Sequence, residues 1–333
     1  MKPPETLVLT RSDVSGLLDL DDCIGAVESA FRAHGEGRAP APGMLGFPAP
    51  GGGFHVKAAG LTPALGRPYF AVKTNSNFSA NREGHGLPAI QGAIALFDGT
   101  DGRLLALMDS IEITILRTGA ATAVAARYLA RRDSSTAAIC GCGNQGRVQL
   151  ESLCRVLPIR NAHAFDADAG RAETFAAEMS RKLSIEVFAE PDLSRALAGA
   201  DVCVTCTPSR SPFLRREHVA AGTFVAAVGS DSEDKQEIAP DLVASSTLVA
   251  DVVEQCASIG ELHHALEAGL MSRDDTPRTL GEVVAGKRPG RRDDAEITIF
   301  DSTGTALQDV AAASMAYERA VAEGAGFPVR LGA

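Results

Sequence analysis

The chain lacks three features that would each point to a class at once. It has no excess of basic residues, since 32 Lys and Arg stand against 42 Asp and Glu, a net charge of −10. Nucleic-acid binding relies on clustered cations that displace counterions, so no nucleic-acid partner is expected. No apolar run reaches membrane-spanning length; the most hydrophobic helical stretch, 113–130, is broken by Arg117 and Arg127. The N-terminal residues Met1-Lys-Pro-Pro-Glu5 have no apolar signal-peptide core. A cytosolic protein without membrane attachment is expected, with its seven cysteines reduced. Internal repeats are also missing, and the only biased patch is a scatter of Arg and Asp near 291–294. No metal cage is visible. Cys203 and Cys206 lie three apart on one strand-like run and so face opposite sides of a sheet, and Cys140 and Cys142 occupy a turn that wants small residues.

Against these absences stands one dense signal. An apolar run, 137–140, enters Gly141-x-Gly143-x-x-Gly146, and an amphipathic helical pattern with Val148, Leu150, Leu153 and Leu157 follows. Strand, glycine turn and helix in that order form a dinucleotide-binding fingerprint. Gly141 permits the turn, Gly143 lets a pyrophosphate approach the backbone, and Gly146 lets helix and strand pack closely. Asn144 and Gln145 complete the turn and open the helix, whose N-terminal N–H groups suit phosphates. The next apolar segment ends in Asp166, twenty positions after Gly146, where an acid would bind the adenosine ribose. Its charge would repel a 2′-phosphate, so NAD is expected over NADP.

With 333 residues the chain can form two domains. The first 120 do not follow a βα rhythm. A helix is expected near 22–36 with Asp21 or Asp22 as N-cap, then a Pro- and Gly-rich loop over 37–53. Strands are expected at 54–57, 69–73, 93–97 and 104–108, the last two joined by the hairpin connection Asp98-Gly-Thr-Asp-Gly102. After a helix from Glu112 to Leu129, regular alternation begins. Strands are expected near 137–140, 161–165, 185–188, 201–206, 223–228, 247–250 and 296–300. Helices are expected near 145–156, 169–182, 192–198, 257–268 and 279–285, with a last helix over 305–323. The fold class is α/β: a Rossmann doubly wound parallel sheet over 121–304, plus a smaller α+β substrate-binding and dimerisation domain from 1–120 and 305–333.

Candidate chemistry follows from this layout, which calls for a substrate pocket where the carboxyl ends of the sheet face the other domain. Lys73 ends an apolar strand and Arg117 interrupts an apolar helix, so both need an anionic partner if buried. Lys73 could equally snorkel, and Arg117 could pair with a structural carboxylate such as Asp109 or Glu112. Asp231 follows the strand 223–228 at its ligand-facing end, a place where Asp is also an ordinary turn residue. Thr205, Thr207 and Pro208 close another strand and could line a nicotinamide channel. The turn Ile299-Phe-Asp-Ser302-Thr-Gly304 is a further candidate to face the cofactor. His263 and His264 are adjacent rather than i,i+4 and read as solvated helix residues. His55 and His85 stay open.

Several segments together resemble the ornithine cyclodeaminase/mu-crystallin family. They are Gly86-Leu-Pro-Ala-Ile-Gln-Gly92, Leu107-Met-Asp-Ser-Ile-Glu-Ile-Thr114, Arg117-Thr-Gly-Ala120 and the 141–146 turn. Val228-Gly-Ser-Asp231, Lys235-Gln-Glu237, Leu280-Gly-Glu-Val-Val-Ala-Gly286 and Thr298-Ile-Phe-Asp-Ser-Thr-Gly304 match as well. The resemblance spans nearly the whole chain. It implies NAD(H), a homodimer built through the non-Rossmann domain, Lys73 as active-site lysine, Arg117 as carboxylate-binding arginine and Asp231 as acid/base. Many members carry a second carboxylate-binding Arg in a Pro-x-Arg context; here the loop reads Pro42-Gly-Met44, and Lys57 is the substitute expected. Gly119 stands where Ala is usual. The Ser258-Ile-Gly-Glu-Leu-His-His264 segment looks more like the imino-acid reductase branch. The leading expectation is an NAD(H)-dependent reductase or dehydrogenase acting on the C–N bond of a small amino or imino acid. A cyclodeaminase-type lyase with no net redox and a mu-crystallin-like dinucleotide-dependent binding protein are the alternatives.

Overall fold

The computed structural model describes residues 5–62, 66–78, 80–275 and 277–331, apart from the side chains of residues 82 and 83. Residues 1–4 of the N-terminal segment read above thus lie outside it. In chain order the first elements are β1 (Thr6–Leu9), α1 (Arg11–Leu17), α2 (Leu20–Gly35), β2 (Gly43–Ala49), β3 (Gly52–Leu61) and β4 (Tyr69–Asn77). They are followed by α3 (Asn81–His85), β5 (Ile90–Asp98), β6 (Leu104–Asp109) and α4 (Ile111–Leu129). Next come β7 (Thr136–Cys140), α5 (Asn144–Val156), β8 (Asn161–Phe165), α6 (Ala169–Leu183), β9 (Glu186–Ala189), α7 (Leu193–Leu197), β10 (Val202–Thr205) and β11 (Arg210–Leu214). The chain continues through β12 (Phe224–Ala227), β13 (Gln236–Ile238), α8 (Pro240–Ala244), β14 (Thr247–Ala250), α9 (Val253–Ile259) and α10 (Glu261–Glu267). It closes with β15 (Arg278–Thr279), α11 (Leu280–Val284), β16 (Thr298–Asp301), α12 (Ala306–Glu323) and β17 (Phe327–Val329). These elements group into two compact units, Met1–Arg117 with Thr305–Ala333, and Thr118–Gly304.

The first unit holds a seven-stranded mixed sheet in the order β17-β1-β6-β5-β4-β3-β2. Its central pairs are antiparallel, and only β1 and β6 run parallel. Alternation on β3 and β4 sends Lys57, Ala59 and Leu61, with Tyr69, Ala71 and Lys73, to one buried face. Helix α12 packs over that face and against α2. Its small buried residues Ala312, Ala313, Ala316 and Ala320 allow close approach. Thr305 caps the helix by accepting from the Leu307 N–H, and Gly324 ends it in the left-handed conformation at φ 68°.

Two local expectations are corrected here. Asp19, rather than Asp21 or Asp22, caps α2, accepting from the Asp22 N–H at 2.8 Å. The stretch expected as loop contains β2, an edge strand paired with β3 from Gly43↔Ala58 to Ala49↔Gly52. An edge strand tolerates Pro48 because one side of its backbone needs no partner.

The second unit holds an eight-stranded parallel sheet, β15-β14-β16-β12-β10-β7-β8-β9. Strands β10, β12 and β16 are buried at every position, as parallel strands covered on both faces must be. The order runs from β7 outward through β8 and β9 on one side and through β10 and β12 on the other. This is a doubly wound sheet with its switch point beside β7. Beyond the expected strands, β11 and β13 form a separate two-stranded parallel sheet. The helix expected over 257–268 is instead α9 and α10, broken at Gly260, where a Cβ would lie 2.7 Å from both carboxylate oxygens of Asp301.

Candidate functional site

The second unit presents a dinucleotide turn at its switch point. Gly141 sits at φ 108°, and a Cβ there would lie 2.8 Å from the Cys206 carbonyl oxygen. Gly143 faces open space, while a Cβ on Gly146 would overlap the Gly141 carbonyl oxygen. Helix α5 starts from Gly143 with no side-chain cap, so its first-turn N–H groups stay available to an anion. Gly143 and Asn144 are exposed and Gln145 is half-buried. Asp166 is half-buried at the end of β8; its Oδ2 accepts from the Cys142 N–H at 2.9 Å and its Oδ1 from the Asp168 N–H at 3.0 Å. It is therefore fastened to the glycine turn itself. An open glycine, an uncapped helix start and an adjacent acid suit a dinucleotide.

The other expected cofactor residues are held by buried acids that sequence reasoning missed. The Thr207 N–H and hydroxyl both donate to Glu237 Oε1, at 2.6 and 2.7 Å, and the Gly229 N–H donates to Oε2 at 2.9 Å. Burial pushes the Glu237 carboxyl above its ordinary range. Asp251 Oδ2 accepts from the Gly304 N–H at 2.8 Å and Oδ1 from the Thr303 hydroxyl at 2.9 Å, fixing the 302–304 loop. The Ser302 hydroxyl is buried with no hydrogen-bond partner among the described residues. Asp231 stands in the turn after β12, with Oδ1 2.5 Å from Lys235 Nζ.

The first unit carries a separate cationic centre. Register pairs Lys57 with Lys73 across β3 and β4, and with Met44 across β2 and β3. Lys73 Nζ lies 2.7 Å from both oxygens of Asp309, donating to Oδ1. Arg117, from α4, donates Nε to Asp309 Oδ1 at 3.0 Å and Nη1 to Gln308 Oε1 at 2.8 Å. Gln308 and Asp309 come from the first turn of α12. Lys57, Lys73, Arg117, Gln308 and Asp309 are all buried.

Burial drives the Lys73 ammonium down to about 7, with Arg117 and Lys57 pushing the same way and Asp309 opposing. For Asp309, burial is outweighed by Lys73 and Arg117, so its carboxyl stays below the ordinary range. The structural partner of Arg117 is neither Asp109 nor Glu112; Glu112 pairs with Arg11 instead. Asp309 carries the same kind of sequence signal as Arg117, a charge inside the largely apolar run Leu307 to Ala313.

His263, His264 and Glu267 bring one ligand atom each within 4.8 Å of one another. His264 Nε2, however, is spent on the Lys235 carbonyl at 2.7 Å.

A sequence model of the ornithine cyclodeaminase/mu-crystallin family matches residues 4–324. The alanine dehydrogenase of Archaeoglobus fulgidus is 38% identical over 327 residues, covering 98% of both chains. Among solved structures, an archaeal alanine dehydrogenase dimer with bound NAD superposes with a TM-score of 0.93 at 37% identity, covering 98% of this chain and 100% of that one. The Thermococcus litoralis Δ1-pyrroline-2-carboxylate reductase, in complex with NADH and L-proline, superposes with a TM-score of 0.89 at 33% identity, covering 97% and 100%. Matched from end to end in sequence and in fold, the chain belongs to the ornithine cyclodeaminase/mu-crystallin family.

Proposed function

We propose that the protein is an NAD(H)-dependent oxidoreductase that interconverts a small amino acid and its imino acid at the C–N bond. The observation that carries this reading is the buried Lys73–Asp309–Arg117 cluster, in a chain that also builds a dinucleotide turn. NAD would be held by Gly141, Gly143, Asn144, Gln145, Gly146 and Asp166, with Thr207, Ser302 and Gly304 lining its site. When bound, it supplies hydride transfer to or from the substrate's α-carbon.

The protein's own residues do the rest. Arg117, its guanidinium oriented by Gln308 and Asp309, meets the substrate carboxylate, for which a planar fork is suited. Lys57 adds positive charge in place of the absent arginine. Lys73, poised near neutrality, gives a proton to the imine nitrogen in reduction and takes one from the amine in oxidation. Asp309 stays ionised, which keeps Lys73 charged over part of the neutral range and offsets the buried guanidinium. Asp231 serves as the second proton relay.

The test follows NADH absorbance with 2-oxo acids plus ammonia or methylamine, and with cyclic imines. In parallel, ornithine and lysine are incubated with NAD and ammonia is measured. NADH consumption that requires the imine supports the reading. Ammonia release without net NADH change would replace it with a cyclodeaminase-type lyase. NADH binding without either reaction would leave a dinucleotide-dependent binding protein.

The same reading includes a homodimer formed through the first unit. Leu45, Phe47, Phe54 and Phe70 are large, exposed and on one sheet face by register, opposite the face that carries Lys57 and Lys73. The archaeal alanine dehydrogenase to which the chain is similar is a dimer. A cytosolic setting accords with seven cysteines that all remain free thiols.

A further inference from the structure

We infer that the side-chain amide of Gln308 donates a hydrogen bond to the substrate's carboxylate and so shares its recognition with Arg117. This rests on the imino-acid reading above and adds a contact to it.

Gln308 is fully buried, and its Oε1 accepts from Arg117 Nη1 at 2.8 Å. A guanidinium has only donors, so the amide oxygen must face it and the orientation of the amide is fixed. Nε2 is thereby turned to the other side, where it has no acceptor among the described residues. A buried donor left unpaired is costly, and the great majority of buried polar groups find partners. The missing acceptor has a stated chemistry. Lys73 and Arg117 share one carboxylate, Asp309, so two buried cations are answered by a single acid and the centre favours an anion. A carboxylate has two acceptor oxygens, enough to meet Arg117 and the donor carried by Arg117's own hydrogen-bond partner.

The experiment uses the full-length protein with 1-pyrroline-2-carboxylate, and with 1-pyrroline, the same ring without the carboxylate. Gln308→Glu keeps an acceptor for Arg117 but places an oxygen where the donor was. Gln308→Met keeps the length and removes both polar atoms. The KM for 1-pyrroline-2-carboxylate should rise about tenfold to a hundredfold in Gln308→Glu, the range expected for a hydrogen bond to a charged group. In Gln308→Met it should rise less, and in both variants the loss should be larger with 1-pyrroline-2-carboxylate than with 1-pyrroline, the NADH KM being unchanged. Melting curves and NADH affinity establish that each variant folds.

An unchanged KM, an equal loss on both rings, or a rise confined to NADH would overturn the assignment. Calorimetry with pyrrole-2-carboxylate in the presence of NAD gives a reading independent of turnover. If the wild type turns over no imine yet binds this anion, and Gln308→Glu does not, the function fails and the contact stands. If both proteins bind it alike, or neither does, the contact fails.

Discussion

Both units bury charge, and they satisfy it in opposite ways. In the second unit Glu237, Asp251, Glu261 and Asp301 are buried, and each carboxylate takes two backbone N–H groups. Glu237 holds Thr207 and Gly229, Asp251 holds Val252 and Gly304, Glu261 holds Glu237 and Ile238, and Asp301 holds Glu261 and Leu262. Such acids are answered by the chain that they organise, and they fix loops. In the first unit Lys73 and Arg117 share one carboxylate, Asp309, so two buried cations are answered by a single acid. Buried charge answered by backbone marks architecture. On the proposed reading, the substrate's carboxylate completes the balance of the buried cations.

The sharpest way to break this comparison is Lys73→Ala. Loss of a positioned acid/base should cut turnover about 100- to 10,000-fold, with NADH affinity unchanged by fluorescence titration. Retained turnover would return Lys73 to a structural role. Next comes Asp309→Asn, which leaves two buried cations without their counter-charge. Denaturant unfolding should show a loss of about 3–5 kcal/mol, the usual cost of removing one partner of a buried pair. A near-neutral change would mean that the cluster is better solvated than its burial suggests.

The pH profile comes third. With Lys73 at about 7, reduction needs its protonated form, so kcat/KM for an imine should fall about tenfold per unit above pH 7. Oxidation of the amine needs the neutral form and should rise through the same pH. Because Asp309 holds the Lys73 value up, Asp309→Asn should move both limbs to lower pH. The smallest effect belongs to the architectural acids. Burial, with Asp251 beside it, lifts Asp301 from 3.8 to about 7, so the folded chain keeps a proton that the unfolded chain has released. Stability contributed here therefore falls as pH rises from about 4 to about 7. Melting temperatures across that range should show a gentler slope in Asp301→Asn than in the wild type.

The two centres also differ in how much of each is written locally. The dinucleotide turn lies in one stretch, 137–166, and each of its requirements is met by residues close in sequence. The cationic centre joins residues 192 and 236 positions apart. Lys73 and Arg117 announce themselves as charges in apolar elements, but no spacing says that Asp309 answers both. Boundaries fail for similar reasons. Gly260 looks like a tolerated residue within one helix until Asp301, 41 positions on, needs the space a Cβ would take. The glycines and prolines of 43–49 imply a loop, and only β3 alongside makes them a strand.

Asp166 binds the backbone of the very turn it stands beside, and this matters for anyone redesigning coenzyme choice. Swapping it for a small apolar residue to admit a phosphorylated ribose would also unlatch the Cys142 amide and loosen the loop meant to hold the diphosphate. A replacement that removes the charge yet still accepts from that amide, Asp166→Asn or Asp166→Ser, is the exchange that separates the two duties.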